Sequence, residues 1–142
     1  MASFVSNIFK SNVLTKKVNL ASGGDTIKVA LYDNSYNLSA TSRNYSTTNE
    51  LATATGYTQG GATLGTQTLT PVDGSSATIK FDAADTAWTT ATFTAYYALL
   101  YDTTVDASAD NLICSIDFGG AKAVSSGTFT IIWDGDGIIS FS

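Results

Sequence analysis

Alternation of apolar and polar residues dominates the chain from residue 27 onward. Ile27 to Asp33 sets Ile27, Val29 and Leu31 on one face and Lys28, Ala30 and Tyr32 on the other, the two-residue period of a half-buried strand. The second half is denser in the same signal: Thr78 to Phe81, Thr92 to Tyr101, Leu112 to Phe118, Thr128 to Trp133 and Ile138 to Phe141 all predict strands. Phe93, Ala95, Tyr97, Leu99 and Tyr101 are expected to share a face, as are Leu112, Cys114, Ile116 and Phe118, and Phe129, Ile131 and Trp133. Their opposite faces are mixed, carrying Tyr96, Leu100, Ile113 and Ile132. Strands apolar on both faces belong at the centre of a sandwich or under a neighbouring subunit. Gly119-Gly120, Ser125-Ser126-Gly127 and Asp134-Gly135-Asp136-Gly137 supply turns, which makes the last three strands an antiparallel meander.

The first half is less regular. Phe4, Val5, Ile8, Phe9, Val13, Leu14, Val18 and Leu20 recur at spacings of three or four, the pattern of a short amphipathic helix or of an arm. Ser22-Gly23-Gly24-Asp25 then turns the chain into the first strand. Thr47-Thr48-Asn49-Glu50 has capping-box spacing before Leu51 to Ala54, which predicts one or two helical turns. Ala62 to Thr70 returns to strand composition, with a hairpin signal at Asp73-Gly74. The expected fold is all-β, an antiparallel β-sandwich of roughly seven to nine strands with an N-terminal arm or short helix and one short helical turn. Residues 1–24 form the arm and residues 25–142 a single sandwich domain.

Composition agrees with that fold and narrows the chemistry. The 142 residues are 44% apolar and only 13% charged, and Thr, Ser and Gly supply most of the rest, a mixture that favours strands and turns. The net charge of −5 is uneven: residues 1–24 hold Lys10, Lys16 and Lys17 and no acid, a +3 that leaves −8 on the remainder. An acidic body of this kind is not a general nucleic-acid binder. The greasy, basic arm has to fold onto its own body or dock on a partner, so Phe4, Ile8, Phe9, Lys10, Lys16 and Lys17 are candidate partner-binding residues. No apolar run has the length of a membrane span, and no secretory leader is expected. The chain has no His and one Cys, which excludes Ser-His and Cys-His nucleophile pairs, His-ligated zinc and an intrachain disulfide. A lone Cys114 in an apolar strand fits cytoplasmic synthesis.

The remaining constellations read as structure. Asp134 and Asp136 have the i, i+2 spacing that opens a calcium loop but no closing Glu, and Asp-Gly pairs also serve hairpin turns. Asp82 and Asp85 have the look of an acid pair for glycoside hydrolysis but no aromatic cleft to sit in. Asp117-Phe118-Gly119 lacks every other kinase element, and the glycines from Gly56 to Gly65 lack the Gly-Lys-Ser/Thr of a phosphate loop. Asn37-Leu38-Ser39 and Asn44-Tyr45-Ser46 are glycosylation triplets by chance. Trp88, Tyr96 and Tyr97 are candidates for a sugar-stacking platform. No catalytic residue, cofactor or metal is expected.

Several blocks lie in one order along nearly the whole chain: Phe4-Val5-Ser6-Asn7-Ile8-Phe9-Lys10, Asp25-Thr26-Ile27-Lys28-Val29-Ala30-Leu31, Asn49-Glu50-Leu51 and Gly56-Tyr57-Thr58-Gln59-Gly60-Gly61. They continue through Phe81-Asp82-Ala83-Ala84-Asp85, Trp88-Thr89-Thr90-Ala91-Thr92, Ile116-Asp117-Phe118-Gly119, Gly127-Thr128-Phe129-Thr130-Ile131 and Gly137-Ile138. In this set the chain resembles a family of small tailed-bacteriophage and prophage virion proteins. The resemblance implies a non-enzymatic virion structural protein, above all a capsid decoration (cement) protein made in the host cytoplasm. Such a protein binds the major capsid protein on the capsid surface as a homotrimer, with no nucleic acid and no membrane as partners. The alternatives are a tail or head-tail junction protein, or a host-surface glycan-binding adhesin using Trp88. Where members of the family often carry a basic residue, this chain has Tyr96.

Overall fold

In the computed structural model, which describes residues 2–71, 76–106 and 108–142, the elements follow in the order β1 (Phe4–Val5), α1 (Asn7–Leu14), β2 (Ile27–Tyr32), β3 (Ala62–Thr63), β4 (Thr68–Thr70), β5 (Ile79–Asp82), β6 (Thr86–Asp102), β7 (Asn111–Ile131) and β8 (Ile139–Phe141). They build a five-stranded sheet in the order β1-β7-β6-β2-β3 and a three-stranded sheet in the order β4-β5-β8. Every pairing is antiparallel. The expected all-β sandwich-like fold is thus the observed one. The stretch of strand composition from Ala62 to Thr70 supplies β3 to one sheet and β4 to the other. The turn signal at Asp73-Gly74 lies outside the described residues.

The expected meander is corrected. Leu112 to Phe118 and Thr128 to Trp133 are not separate strands, because β7 runs unbroken from Asn111 to Ile131 through both of their predicted turns. The glycines and serines there serve bulges. Tyr97 faces Asp117 while Ala95 faces Lys122, so β7 spends three more residues than β6 across that step. Gly119 (φ 71°) and Gly120 (φ 141°) take up the excess, in backbone regions that a Cβ disfavours. A second irregularity follows, with Phe93 opposite Val124 and Ala91 opposite Gly127, and Ser126 turned to φ 48° between them.

Because side chains alternate strictly along a strand, each bulge moves residues from one face to the other. Ala91, Phe93 and Ala95 pack into the core between the sheets, whereas Tyr97, Leu99 and Tyr101 pack on the outer face of the large sheet. The single face predicted for these residues is therefore two. Leu112 separates from Cys114, Ile116 and Phe118 in the same way, where Leu100 pairs with Cys114 but Tyr101 with Leu112. Phe129, Ile131 and Trp133 do share the inter-sheet core.

Two apolar clusters result. The larger joins Ile27, Val29, Leu31 and Leu100 to Phe81 and Ile139 of the small sheet. The smaller gathers Ala30, Tyr32, Tyr36, Leu99, Tyr101 and Leu112 on the outer face, with Ile8, Leu38 and Tyr45 against it. Strand β2 is accordingly buried on both faces apart from Lys28, not half-buried as its alternation suggested. Its second face is covered by the segment between residues 33 and 50.

The N-terminal segment folds onto its own body. Phe4 and Val5 pair with Ser115 and Cys114, the buried Ser6 N–H donates to the Ile113 carbonyl at 2.8 Å, and α1 follows. Phe9 and Leu20 lie in the inter-sheet core. The buried Asn12 amide donates to Asn111 Oδ1 at 2.9 Å, so the segment from Phe4 to Leu20 packs against the sandwich. The helical turn expected after Thr47 is absent. The Glu50 N–H meets the Thr47 carbonyl in a turn, Asn49 sits at φ 65°, and Glu50 bridges Tyr32.

A Cβ at Gly120 would meet nothing within 4 Å, so its requirement for glycine is purely one of backbone conformation. Gly120→Ala is expected to lower the unfolding free energy by about 1–3 kcal/mol in urea titrations. Gly135→Ala, equally open but without a positive φ, should leave the midpoint almost unchanged.

Candidate functional site

The most organised polar group in the molecule was not singled out by sequence reasoning. Glu50 is buried, and its carboxylate accepts hydrogen bonds from the Tyr45 hydroxyl, from the Tyr57 hydroxyl at 2.6 Å and from the Gly60 N–H at 2.6 Å. Tyr57 Oη in turn accepts the Leu31 N–H at 2.9 Å, and Tyr101 donates to the Gly60 carbonyl at 2.6 Å. Tyr45 stacks on Tyr101 with ring centroids 4.2 Å apart. Burial first, and the neighbouring Glu50 charge with it, pushes the hydroxyls of Tyr32, Tyr45, Tyr57 and Tyr101 above the ordinary phenol range. These phenols stay neutral and act as donors. A carboxylate so saturated clamps residues 45–60 to the edge of β2 and does not offer a reactive group. The signal in the sequence was Glu50 flanked by Tyr45 and Tyr57, masked by capping-box spacing.

A second buried carboxyl lies at the end of β6. Asp102 is 1% exposed; Oδ1 accepts the Thr104 and Val105 N–H groups at 2.7 and 3.1 Å. Its carboxyl also lies beside that of Asp25. Burial pushes its pKa up to about 6, the two N–H donors pull it down, and the nearby Asp25 raises it. Asp25 also holds the chain before β2, accepting the Asn19 N–H at 2.6 Å.

An open apolar groove of about 740 Å³ runs beside β1 along β7, lined by Phe4, Ile116, Phe118, Phe129, Trp133 and Ile138 among others. It exists because β1 pairs only with Ser115 and Cys114, which leaves β7 from Ile116 onward without an outer strand among the described residues. Cys114 lies at its floor, and burial pushes this thiol up to about 12, far from reactive thiolate.

The candidates from the sequence are scattered over the molecule. Phe4 is half-buried beside the groove, Ile8 is half-buried under the tyrosine cluster, and Phe9 is fully buried. Phe9 as a partner contact is therefore corrected, since its ring fills the protein's own core. Lys10, Lys16 and Lys17 are exposed on and after α1. Trp88 lies in the inter-sheet core, its ring 6.0 Å from Phe129 and 6.2 Å from Tyr57. Tyr97 stacks on Tyr36 at 5.0 Å on the opposite face, and Tyr96 is half-buried between those two sites along β6. The three candidates for a sugar-stacking platform do not share one surface. Asp134 accepts the Asp136 N–H within its turn, Asp82 the adjacent Ala83 N–H, and Asp85 the Trp133 N–H across the fold.

The arrangement defines a class, an antiparallel two-sheet β protein with a clamped loop and an open apolar groove. No protein-family model, no curated protein and no solved structure matches the chain.

Removing the Glu50 carboxylate strands two tyrosine hydroxyls and one amide. Glu50→Ala is expected to cost about 3 kcal/mol or more, read by urea unfolding, with loss of the near-UV tyrosine signal. Glu50→Gln keeps a carbonyl acceptor and should cost less. A separate expectation concerns acid. The unfolded chain releases the Asp102 proton near 3.8 and the folded chain near 6, so the folded state holds the extra proton between those values. Stability contributed by this group is full below that window and falls as pH rises through it. Asp102→Asn should flatten the fall in melting temperature across that range; an unchanged profile would exclude Asp102 as its source.

Proposed function

We propose that this chain is a structural protein of a tailed-bacteriophage particle, a capsid decoration protein that binds the major capsid protein on the outside of the head as a homotrimer and stiffens the shell. The observation that carries the reading is the ordered series of blocks from Phe4-Val5-Ser6 to Gly137-Ile138. These blocks contain the Glu50 clamp, since Asn49-Glu50-Leu51 supplies the carboxylate and Gly56-Tyr57-Thr58-Gln59-Gly60-Gly61 supplies two of its donors. They also contain Trp88 and Phe129 of the inter-sheet core. Shared blocks of this kind describe a scaffold, as a structural role requires.

The surface also suits the reading. Between Thr86 and Tyr96 of β6 there is no charged residue, and between Gly119 and Ile131 of β7 the sole charge is Lys122. The outward positions there are Thr, Ser and Ala, among them Ala87, Thr89, Thr92, Thr94, Thr128 and Thr130, all exposed. A broad, weakly charged sheet face costs little to desolvate, and many weak contacts on a repeating shell add through avidity. The reading assigns no catalysis, cofactor or metal. An adhesin role has less support, because Trp88 is buried.

Copy number in purified particles tests the assignment, by quantitative mass spectrometry joined to a cryo-EM reconstruction. Decoration predicts many copies distributed over the outer head surface. A handful at one vertex or along the tail would transfer the protein to the junction or tail, and absence from particles would overturn the virion reading.

A further inference from the structure

We propose that Asp25 and Asp102 share one proton and thereby form a pH-operated latch between the chain entering β2 and the turn that leaves β6. The two residues come together at one end of the large sheet. Ile27 pairs with Asp102, and Asp102 with Asn111, so Asp102 holds the last register position across three neighbouring strands. It is 1% exposed there. Oδ1 accepts the Thr104 and Val105 N–H groups at 2.7 and 3.1 Å. Among the described residues no N–H group or hydroxyl reaches Oδ2, and the group beside this carboxyl is the carboxyl of Asp25.

Asp25 is fixed as firmly on its own side. Its Oδ2 accepts the Asn19 N–H at 2.6 Å, its N–H donates to the Asn19 carbonyl at 2.8 Å, and its carbonyl accepts the Gln67 side-chain amide at 2.9 Å. The backbones on either side are tied together as well. The Thr26 N–H donates to Thr104 Oγ1 at 2.8 Å, and the Thr26 carbonyl accepts both the N–H and the hydroxyl of Thr103 at 3.0 Å. Neither carboxyl can turn away without breaking these bonds, and two carboxylates in contact with no donor between them repel. One proton removes the repulsion and supplies the missing bond. Asp25 is half-buried and Asp102 fully buried, so the charge stays on Asp25, nearer water, and the Asp102 O–H is the donor.

The charges around the pair are engaged elsewhere. Asn111 on β7 is neutral, Lys17 and Arg43 lie with Asp106, Lys28 Nζ lies over Gly60, and Asp110 acts on Tyr45 and Tyr101. Asp25 is the titratable group that bears on Asp102. Held by burial first and by Asp25 besides, the proton stays on up to about pH 6. Above that value it leaves, the bond between the carboxyls is lost, and the junction of residues 19–26 with residues 103–105 loosens. Below it the latch is closed.

The latch rests on the geometry of one junction and not on a virion role, so its failure would leave that reading intact. Carbon-detected NMR of the side-chain carboxyls in the full chain should show Asp102 titrating near 6, with an inflection at the same pH in the Asp25 signal, as coupled groups require. Asp25→Asn places an amide donor where the shared proton was, and the Asp102 step should fall by about one unit or more. Asp102→Asn keeps the latch closed at every pH. Amide exchange at Thr26, Thr104 and Val105, compared between wild type and this variant at one pH so that intrinsic rates cancel, should agree at about pH 5. At about pH 8 it should be roughly tenfold faster in the wild type, the effect of losing one hydrogen bond. An Asp102 step at the ordinary 3.8, a step near 6 that Asp25→Asn does not move, or exchange equal to that of Asp102→Asn at both pH values would each overturn the proposal.

Discussion

A buried carboxylate held by two phenols and a backbone amide is the constraint around which this fold is arranged. Taking Glu50 out of water carries a large desolvation cost, tolerable only when the lone pairs it loses to water are met by protein donors. Two phenols and one amide meet them here. Each donor reaches Glu50 only if its own segment is fixed, so residues 44–61 are determined despite containing no regular element beyond isolated bridges. The same network solves an edge problem. Strand β3 covers β2 only at Lys28 and Val29, and farther along, Leu31 would expose both its backbone groups. Tyr57 Oη takes its N–H and the Leu51 N–H meets its carbonyl, so a side chain and a loop amide finish what a neighbouring strand would otherwise do.

The long hairpin of β6 and β7 solves a second problem, how one ribbon can serve two cores. An uninterrupted alternation would commit each strand to a single inward face along its whole length. The bulges at Gly119-Gly120 and at Ser126 reset that alternation. The half near the 103–110 connection presents Tyr97, Leu99 and Tyr101 to the outer cluster, and the far half presents Trp88, Phe93 and Phe129 to the small sheet. Conformational cost at a few φ-positive residues is thereby exchanged for burial of large aromatic surfaces, each of the order of 150–250 Å².

What was legible in the sequence follows from the range of the interactions involved. Strand β2, strand β8 and the shared face of Phe129, Ile131 and Trp133 are matters of local alternation, and local alternation found them. Gly119-Gly120 and Ser125-Ser126-Gly127 have the composition of hairpin turns, and composition alone does not separate a turn from a bulge. That distinction depends on whether the chain reverses, which the partner strand decides. Glu50 failed for a related reason: its donors lie five, seven and ten residues away, and the local Thr-x-x-Glu pattern competed with a network visible only once the loop is closed. Phe9 and Trp88 were legible as apolar, with inward packing and partner contact both left open, and the fold buries both, since periodicity identifies an apolar side chain but not which of two available faces is covered.

The N-terminal segment joins these themes. Its excess of apolar residues posed a choice between folding inward and docking outward, and the fold divides it. Val5, Phe9, Val18 and Leu20 pack with the inter-sheet core, Ile8 packs under the tyrosines and Phe4 lines the open groove. Val13 and Leu14 stay in water at the end of α1. Helix geometry forces this division, because a helix of eight residues lying on a sheet can turn only one stripe inward. Phe9 and Asn12 define that stripe; Leu14 points off it, and Val13, one turn after Phe9, is left 39% exposed at the helix end. Extending the inward stripe would have required a longer β7 at the Asn111 end, where the polypeptide instead reverses through the Asp102 and Asp106 turns.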